Sequence, residues 1–274
     1  MRGVGTPSIL CYRFLMATAM MALVMLLTRR SFRISFRAFV AVVWLSVLYA
    51  ATAIFILASY EHIAGGVATT IHFLYPLAVT AIMAMFFKER TTITTLIAAV
   101  VSLVGVALLM WGSHHDGDYR KGVLLALVTV ATYAIYIVGV MKSRAATVDA
   151  LTLTFYVLIV GAVIFFLYAI LTTGIEPLRG GAEWRDAAML ALICTVISDL
   201  ALILAIKRIG STMTSVLGSM EPLTAVIVGV LYFNERFDAA ALIGVVMIIV
   251  AVILVIVQSG RQNEGQASHD THPL

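Results

Sequence analysis

The stretch FLYPLAVTAIMAMFFKER at residues 73–90 is answered by MEPLTAVIVGVLYFNER at residues 220–236. A constant, ungapped offset of 146 positions sets Pro76 on Pro222, Leu77 on Leu223, Phe87 on Phe233 and Glu89-Arg90 on Glu235-Arg236. Apolar matches continue through Leu96/Leu242, Ile97/Ile243, Val100/Val246, Val104/Val250, Val106/Val252 and Leu108/Leu254, so the two copies cover residues 63–111 and 209–257. Each copy reads as an apolar helix with a central proline, a short charged turn ending in Glu-Arg, and a second apolar helix. Duplicated helices interrupted at matching positions are one way in which secondary transporters build a site at mid-membrane. A carrier is therefore the expectation.

Composition bounds the rest. The chain has 274 residues, of which 62% are hydrophobic and 12% charged, with a mean hydropathy of +1.06. These values exclude an ordinary soluble domain. A helix needs roughly 20 mostly apolar residues to cross a bilayer. Nine stretches qualify: 8–28, 38–60, 63–87, 92–111, 122–141, 150–172, 187–206, 210–233 and 238–258. The expected class is an all-α, polytopic membrane protein. The turns are short, so no soluble domain is inserted. The pI of about 9.2 raises the question of nucleic acid, but no basic-aromatic surface or nucleic-acid motif accompanies it. In a membrane protein, basic residues mainly set orientation.

The densest basic turn carries Arg29, Arg30, Arg33 and Arg37 and is placed in the cytoplasm by the positive-inside rule. Alternation puts Lys88/Arg90, Lys142/Arg144, Lys207/Arg208 and Arg261 on the same side, eleven basic residues against six outside. The polar tail at 259–274 is expected to be disordered and cytoplasmic. Its His269 and His272 read as solvated residues, and no metal site is expected. Cys11 and Cys194 lack metal-ligand spacing and read as packed thiols.

The two copies lie five spans apart, an odd number, so they cross the membrane in opposite senses as an inverted repeat. Residues 1–111 form a first repeat of four helices and 122–258 a second of five. Moving 122–141 back by 146 positions places its partner upstream of Met1. Either the protein has nine spans, or the reading begins just after a tenth; we expect the second, with in-frame upstream sequence encoding a further apolar helix of roughly 20 residues.

At this point the residues resemble a known family, the EamA-type transporters of the drug/metabolite transporter superfamily. Arg13 in YRFLMA is similar to the Arg of that family's second helix. The stretches at 73–90 and 220–236 resemble its Pro-containing fourth and ninth helices. The resemblance implies a ten-helix architecture of two inverted five-helix repeats, of which nine helices are read here. It also implies efflux of a small metabolite, amino-acid-like or related, or of a toxic compound, across an inner membrane.

Prolines at both central positions remove a backbone donor and free a carbonyl one turn earlier. Pro76 and Pro222 are read as kinks or hinges beside a cavity; the alternative is a static kink that improves packing. Three- and four-residue steps align Ser211, Thr214, Gly218 and Glu221 in one strip, and Gly65, Ala68, His72 and Tyr75 in its counterpart. Thr195, Ser198 and Asp199 share a face of the seventh span, with Tyr49 and Thr52 matching in the second. Tyr133 and Tyr136 share a face of the fifth. The substrate cavity is expected among Tyr49, Thr52, His72, Tyr75, Tyr133, Tyr136, Ser198, Asp199, Gly218 and Glu221.

Asp199 and Glu221 are acids deep within spans, where a charge costs on the order of 2.5–3.5 kcal/mol on insertion scales. They can bind a cationic or amine-bearing substrate, or exchange protons and couple transport to a proton gradient. The alternatives are a backbone bond beside Pro222 for Glu221 and a Ser or Thr bond for Asp199. For His72, the alternatives are proton handling or a neutral ring satisfied by Thr69 or a neighbouring helix. Arg13 reads as structural, reaching the interface by snorkelling. The Glu-Arg turns read as structural or gating elements. Ser102-x-x-Gly105 and Gly244 suit close helix contact, in a monomer or weak homodimer.

No HExxH, GxSxG or comparable constellation points to an intramembrane enzyme, and no cofactor is expected. A structural or sensory membrane subunit would leave the buried acids without a purpose. The reading is a non-enzymatic secondary transporter working by alternating access, with a small-molecule substrate, the lipid bilayer and protons as its partners.

Overall fold

The computed structural model describes residues 4–63, 65–89, 92–109, 119–218, 221, 243–244, 246–247, 249–251 and 253–254. Every regular element among them is helical, as a bilayer demands of a backbone that cannot hydrogen-bond to water. In chain order these are α1 (Thr6–Leu27), α2 (Phe36–Tyr60), α3 (Gly65–His72), α4 (Tyr75–Phe87) and α5 (Ile93–Leu109). They continue as α6 (Tyr119–Lys142), α7 (Ala150–Thr172), α8 (Gly181–Ala191), α9 (Ser198–Ile209) and α10 (Ser211–Leu217). A 3-10 turn, Arg144–Thr147, precedes α7, and a turn of π-helix, Leu192–Ile197, joins α8 to α9.

Among the described residues, five stretches are long and apolar enough to cross a membrane: Thr6–Leu27, Phe36–Tyr60, Arg120–Lys142, Ala150–Thr172 and Gly181–Ile209. Their outer faces carry large exposed apolar side chains, Trp44 at 62% and Leu171 at 82% among them. Such surface suits lipid and not water. The molecule is an all-α, multi-pass membrane protein.

The chain divides into two compact units, Met1–Ala53 with Ile135–Gly210, and Ile54–Ala134 with Ser211–Leu274. In the first unit α1 packs on α7 and α8. Lipid tails are as apolar as leucine, so helices here associate through close packing and polar contacts. Small residues permit it. A Cβ at Gly161 of α7 would meet the Phe14 ring of α1 at 3.0 Å, and one at Gly139 of α6 would collide with Leu45 of α2. Phe14 and Phe165 are fully buried with ring centroids 4.6 Å apart. Asp149 caps α7 by accepting from the Leu151 N–H at 3.2 Å, which satisfies one of the donors orphaned at a helix start. Gly210, with φ +85°, closes α9 in a conformation that side-chain-bearing residues rarely adopt.

In the second unit α10 packs on α4 and α5. Ala98, Ala99, Val216 and Ala251 form one buried cluster, and Ile63, Ala68 and Ala126 another. The span read from sequence at 63–87 is two helices. α3 ends with the Phe73 N–H on the Thr69 carbonyl at 2.9 Å and the Leu74 N–H on Ile71 at 3.0 Å. Pro76 has no N–H for the His72 carbonyl and stands in the first turn of α4, where a helix requires no such donor. The run of helical bonds stops at the end of α3 and restarts in α4. In the second copy α10 ends at Leu217, which is Ile71 shifted by the offset, and the Glu221 N–H bonds the Gly218 carbonyl at 3.0 Å. Pro222, Glu235, Arg236 and the tail at 259–274 lie outside the described residues, as does Arg90.

Candidate functional site

The residues singled out from sequence gather into two clusters, one in each unit. In the first unit, Tyr49 of α2 donates to Asp199 Oδ1 of α9 at 2.9 Å. Asp199 is only 4% exposed, and its Oδ2 has no hydrogen-bond partner among the described residues. The Tyr49 ring lies 5.2 Å from that of Tyr136, which α6 buries completely, and 6.1 Å from Phe14. Arg13 of α1 donates from Nε to Thr195 Oγ1 at 2.6 Å and stands within electrostatic reach of Asp199. Arg13 is thus bonded to the π turn in place of the expected snorkelling.

That turn has a local cause. The Thr195 hydroxyl donates to the Leu190 carbonyl, five residues back, at 3.3 Å. A hydroxyl that competes for carbonyls within the ladder bends a helix, and single π turns recur at functional sites. Asp199 lies in the first turn of α9, which begins immediately beyond it. Thr52 is buried but bonds the Leu48 carbonyl of its own helix at 2.8 Å, while Ser198 is exposed.

The second cluster centres on the break between α3 and α4. His72 Nδ1 lies 2.9 Å from Thr129 Oγ1 of α6, not on Thr69. The Thr129 hydroxyl donates its one proton to the Ala126 carbonyl at 2.6 Å. His72 Nδ1 is therefore the donor in this pair. The rings of His72, Tyr75 and Tyr133 are mutually packed, with centroids 4.8–5.4 Å apart. The Tyr75 hydroxyl sits against Gly218 so closely that a Cβ there would overlap it. Glu221, one turn beyond Gly218, is exposed, and Pro76 is buried at the start of α4.

Sequence reasoning missed Thr129, Phe14 and the Arg13–Thr195 bond. Thr129 was open to discovery: it precedes Tyr133 by four residues and Tyr136 by seven, on one face of α6. Among the described residues no group of three His, Cys, Asp or Glu side chains could hold a metal ion.

The model of the EamA-like transporter family matches residues 1–111 and again 120–257. The chain belongs to this family. Among curated proteins it is similar to an uncharacterized transporter of Archaeoglobus fulgidus, 24% identical over 172 residues, covering 63% of this chain and 60% of that protein. It is likewise similar to Protein PecM of Dickeya dadantii, 24% identical over 191 residues, covering 70% and 64%. The chain thus aligns with under two thirds of the length of either relative. A solved crystal structure shares the fold at a TM-score of 0.81 and 18% identity, over 94% of this chain and 90% of that one.

Proposed function

We propose that the protein is a secondary transporter that exports a small metabolite bearing an amine or other cationic group across the inner membrane. The observation that carries this reading is Asp199, a buried carboxylate with one oxygen bonded by Tyr49 and the other without a partner among the described residues. An ionisable group inside a membrane protein that is not fully satisfied internally is retained for a ligand, an ion or a proton. The break between α3 and α4 and the end of α10, one offset apart, support alternating access, because a helix stops and restarts where its backbone can face polar contents. His72, Tyr75 and Tyr133 supply packed aromatic faces suited to the rest of such a substrate. Residues 1–111 and 122–258 are the two inverted repeats in this proposal. Arg29, Arg30, Arg33 and Arg37 and the C-terminus face the cytoplasm.

Asp199, with Glu221 as the second acid, is the place for proton coupling. The test is counterflow and gradient-driven uptake in proteoliposomes, using a panel of amines and amino acids. Asp199→Asn keeps size and hydrogen bonding but removes the charge. It should lower gradient-driven transport by about tenfold or more, in line with roughly 1.5–3 kcal/mol for a hydrogen bond to a charged group. Wild-type, gradient-dependent transport in Asp199→Asn and in Glu221→Gln alike would assign both acids a structural role.

A further inference from the structure

The first unit carries a concavity remote in sequence from most of the Asp199 cluster. It has a volume of about 380 Å³ and is lined by Arg30, Ser31, Arg33, Ser35, Asp149 and Thr152 among others. That size lies within the roughly 300–1,000 Å³ of small-molecule sites. The loop that builds it is held from both ends. α1 closes with Arg29 in the left-handed region, at φ 51°, and the Arg30 N–H returns to the Met25 carbonyl at 2.9 Å, a Schellman-type finish. Two side chains of α7 then hold the loop backbone: Thr152 donates to the Ser31 carbonyl at 3.1 Å and Tyr156 to the Phe32 carbonyl at 2.9 Å. The Arg33 N–H bonds Ser31 Oγ at 3.1 Å.

Charge in this cavity does not cancel. Asp149 is the acid in its lining, against Arg30 and Arg33. It is already engaged as the cap of α7, and its closest approach to Arg30 is 3.9 Å, with both side chains about half exposed, so the pair is weak. Lys207 of α9, outside the lining, bonds the Ala146 carbonyl at 3.1 Å and also that of Val148, which lines the cavity. Guanidinium groups beside serine hydroxyls suit phosphate oxygens.

The flanks indicate the source of the phosphate. Leu26 and Leu27 end α1, and Phe36 and Val40 open α2; all four are exposed, at 64%, 74%, 79% and 51%. Apolar surface directly beside a basic cavity at the ends of membrane helices fits acyl chains below a headgroup. We propose that this cavity binds the phosphate of an anionic phospholipid, with the chains lying along the exposed apolar ends of α1 and α2.

The test uses the purified full chain in neutral detergent. Thermal unfolding is followed with added phosphatidylglycerol, phosphatidylcholine or inorganic phosphate, and retained lipid is counted by native mass spectrometry. Phosphatidylglycerol should raise Tm above phosphatidylcholine and should remain bound. Arg33→Gln should cut that increment by about twofold or more, because a ligand stabilises according to its affinity for the native state. Asp149→Asn keeps a capping side chain but removes the opposing charge, so it should enlarge the increment. Arg37→Gln, which does not line the cavity, should leave it unchanged. Equal increments for both lipids, or an unaltered increment in both Arg33→Gln and Asp149→Asn, would overturn the proposal. An effect of inorganic phosphate equal to that of phosphatidylglycerol would overturn the lipid as its source.

Discussion

Gly218 shows how much a single residue can decide. The repeat offset pairs it with His72, yet in the structure its nearest neighbour is the hydroxyl of Tyr75. Tyr75 is 2% exposed and wedged among His72, Phe73 and Tyr133, so its ring has no room to retreat. Gly218→Ala should therefore destabilise the protein by about 1–3 kcal/mol, the usual cost of overpacking. Tyr75→Phe in the same background removes the atom in conflict and should recover much of that loss. Thermal unfolding of the two single variants and the double variant measures this, and additive effects would mean the hydroxyl is not the obstacle. The offset could pair these positions, but it could not bring Tyr75 onto Gly218. That contact depends on how α10 meets the start of α4.

Among the elements, the broken span at 63–87 is the most informative. A proline in an apolar run predicts a weakened helix, and here the run separates into α3 and α4 with Pro76 in the first turn of the second. Two causes are available: the missing N–H, and the packing of Phe73 and Tyr75, which the turn points into buried surroundings. Pro76→Ala separates them. If proline is the cause, the variant regains a donor for the His72 carbonyl and amide hydrogen exchange across residues 72–76 should slow by about fivefold or more, equivalent to roughly 1 kcal/mol of added local stability. Unchanged exchange would assign the break to packing. The π turn at Leu192–Ile197 was not legible in sequence. Thr195 was visible as a polar residue within a span, but its bond to Arg13 depends on α1 lying alongside.

For the molecule as a whole, orientation is set by where lysine and arginine accumulate, because their transfer across the bilayer is opposed during insertion. Single cysteines at Ser31 and Ser268, in a background without Cys11 and Cys194, should resist an impermeant thiol reagent in intact cells and react once the membrane is opened. Ser31 is exposed in its loop, so protection there cannot come from burial. Ready labelling of both positions from outside would reverse the orientation. The background is mild at Cys194, which is exposed, and more demanding at Cys11, which α1 buries at 1% exposure.

Hydropathy and the paired prolines determined the helical class and, among the described residues, most helix boundaries, because lipid leaves the backbone no other way to satisfy its hydrogen bonds. The acids and aromatics of the candidate site were legible as residue types out of place in an apolar span. Their grouping was not. Tyr133 and Tyr136 share a face of α6, yet one packs with His72 and Tyr75 in the second unit and the other with Tyr49 in the first. Thr129 as the partner of His72, and Tyr49 as the partner of Asp199, are contacts between residues 57 and 150 positions apart. Periodicity fixes which residues share a face of one helix; only the packing of helices fixes what that face meets.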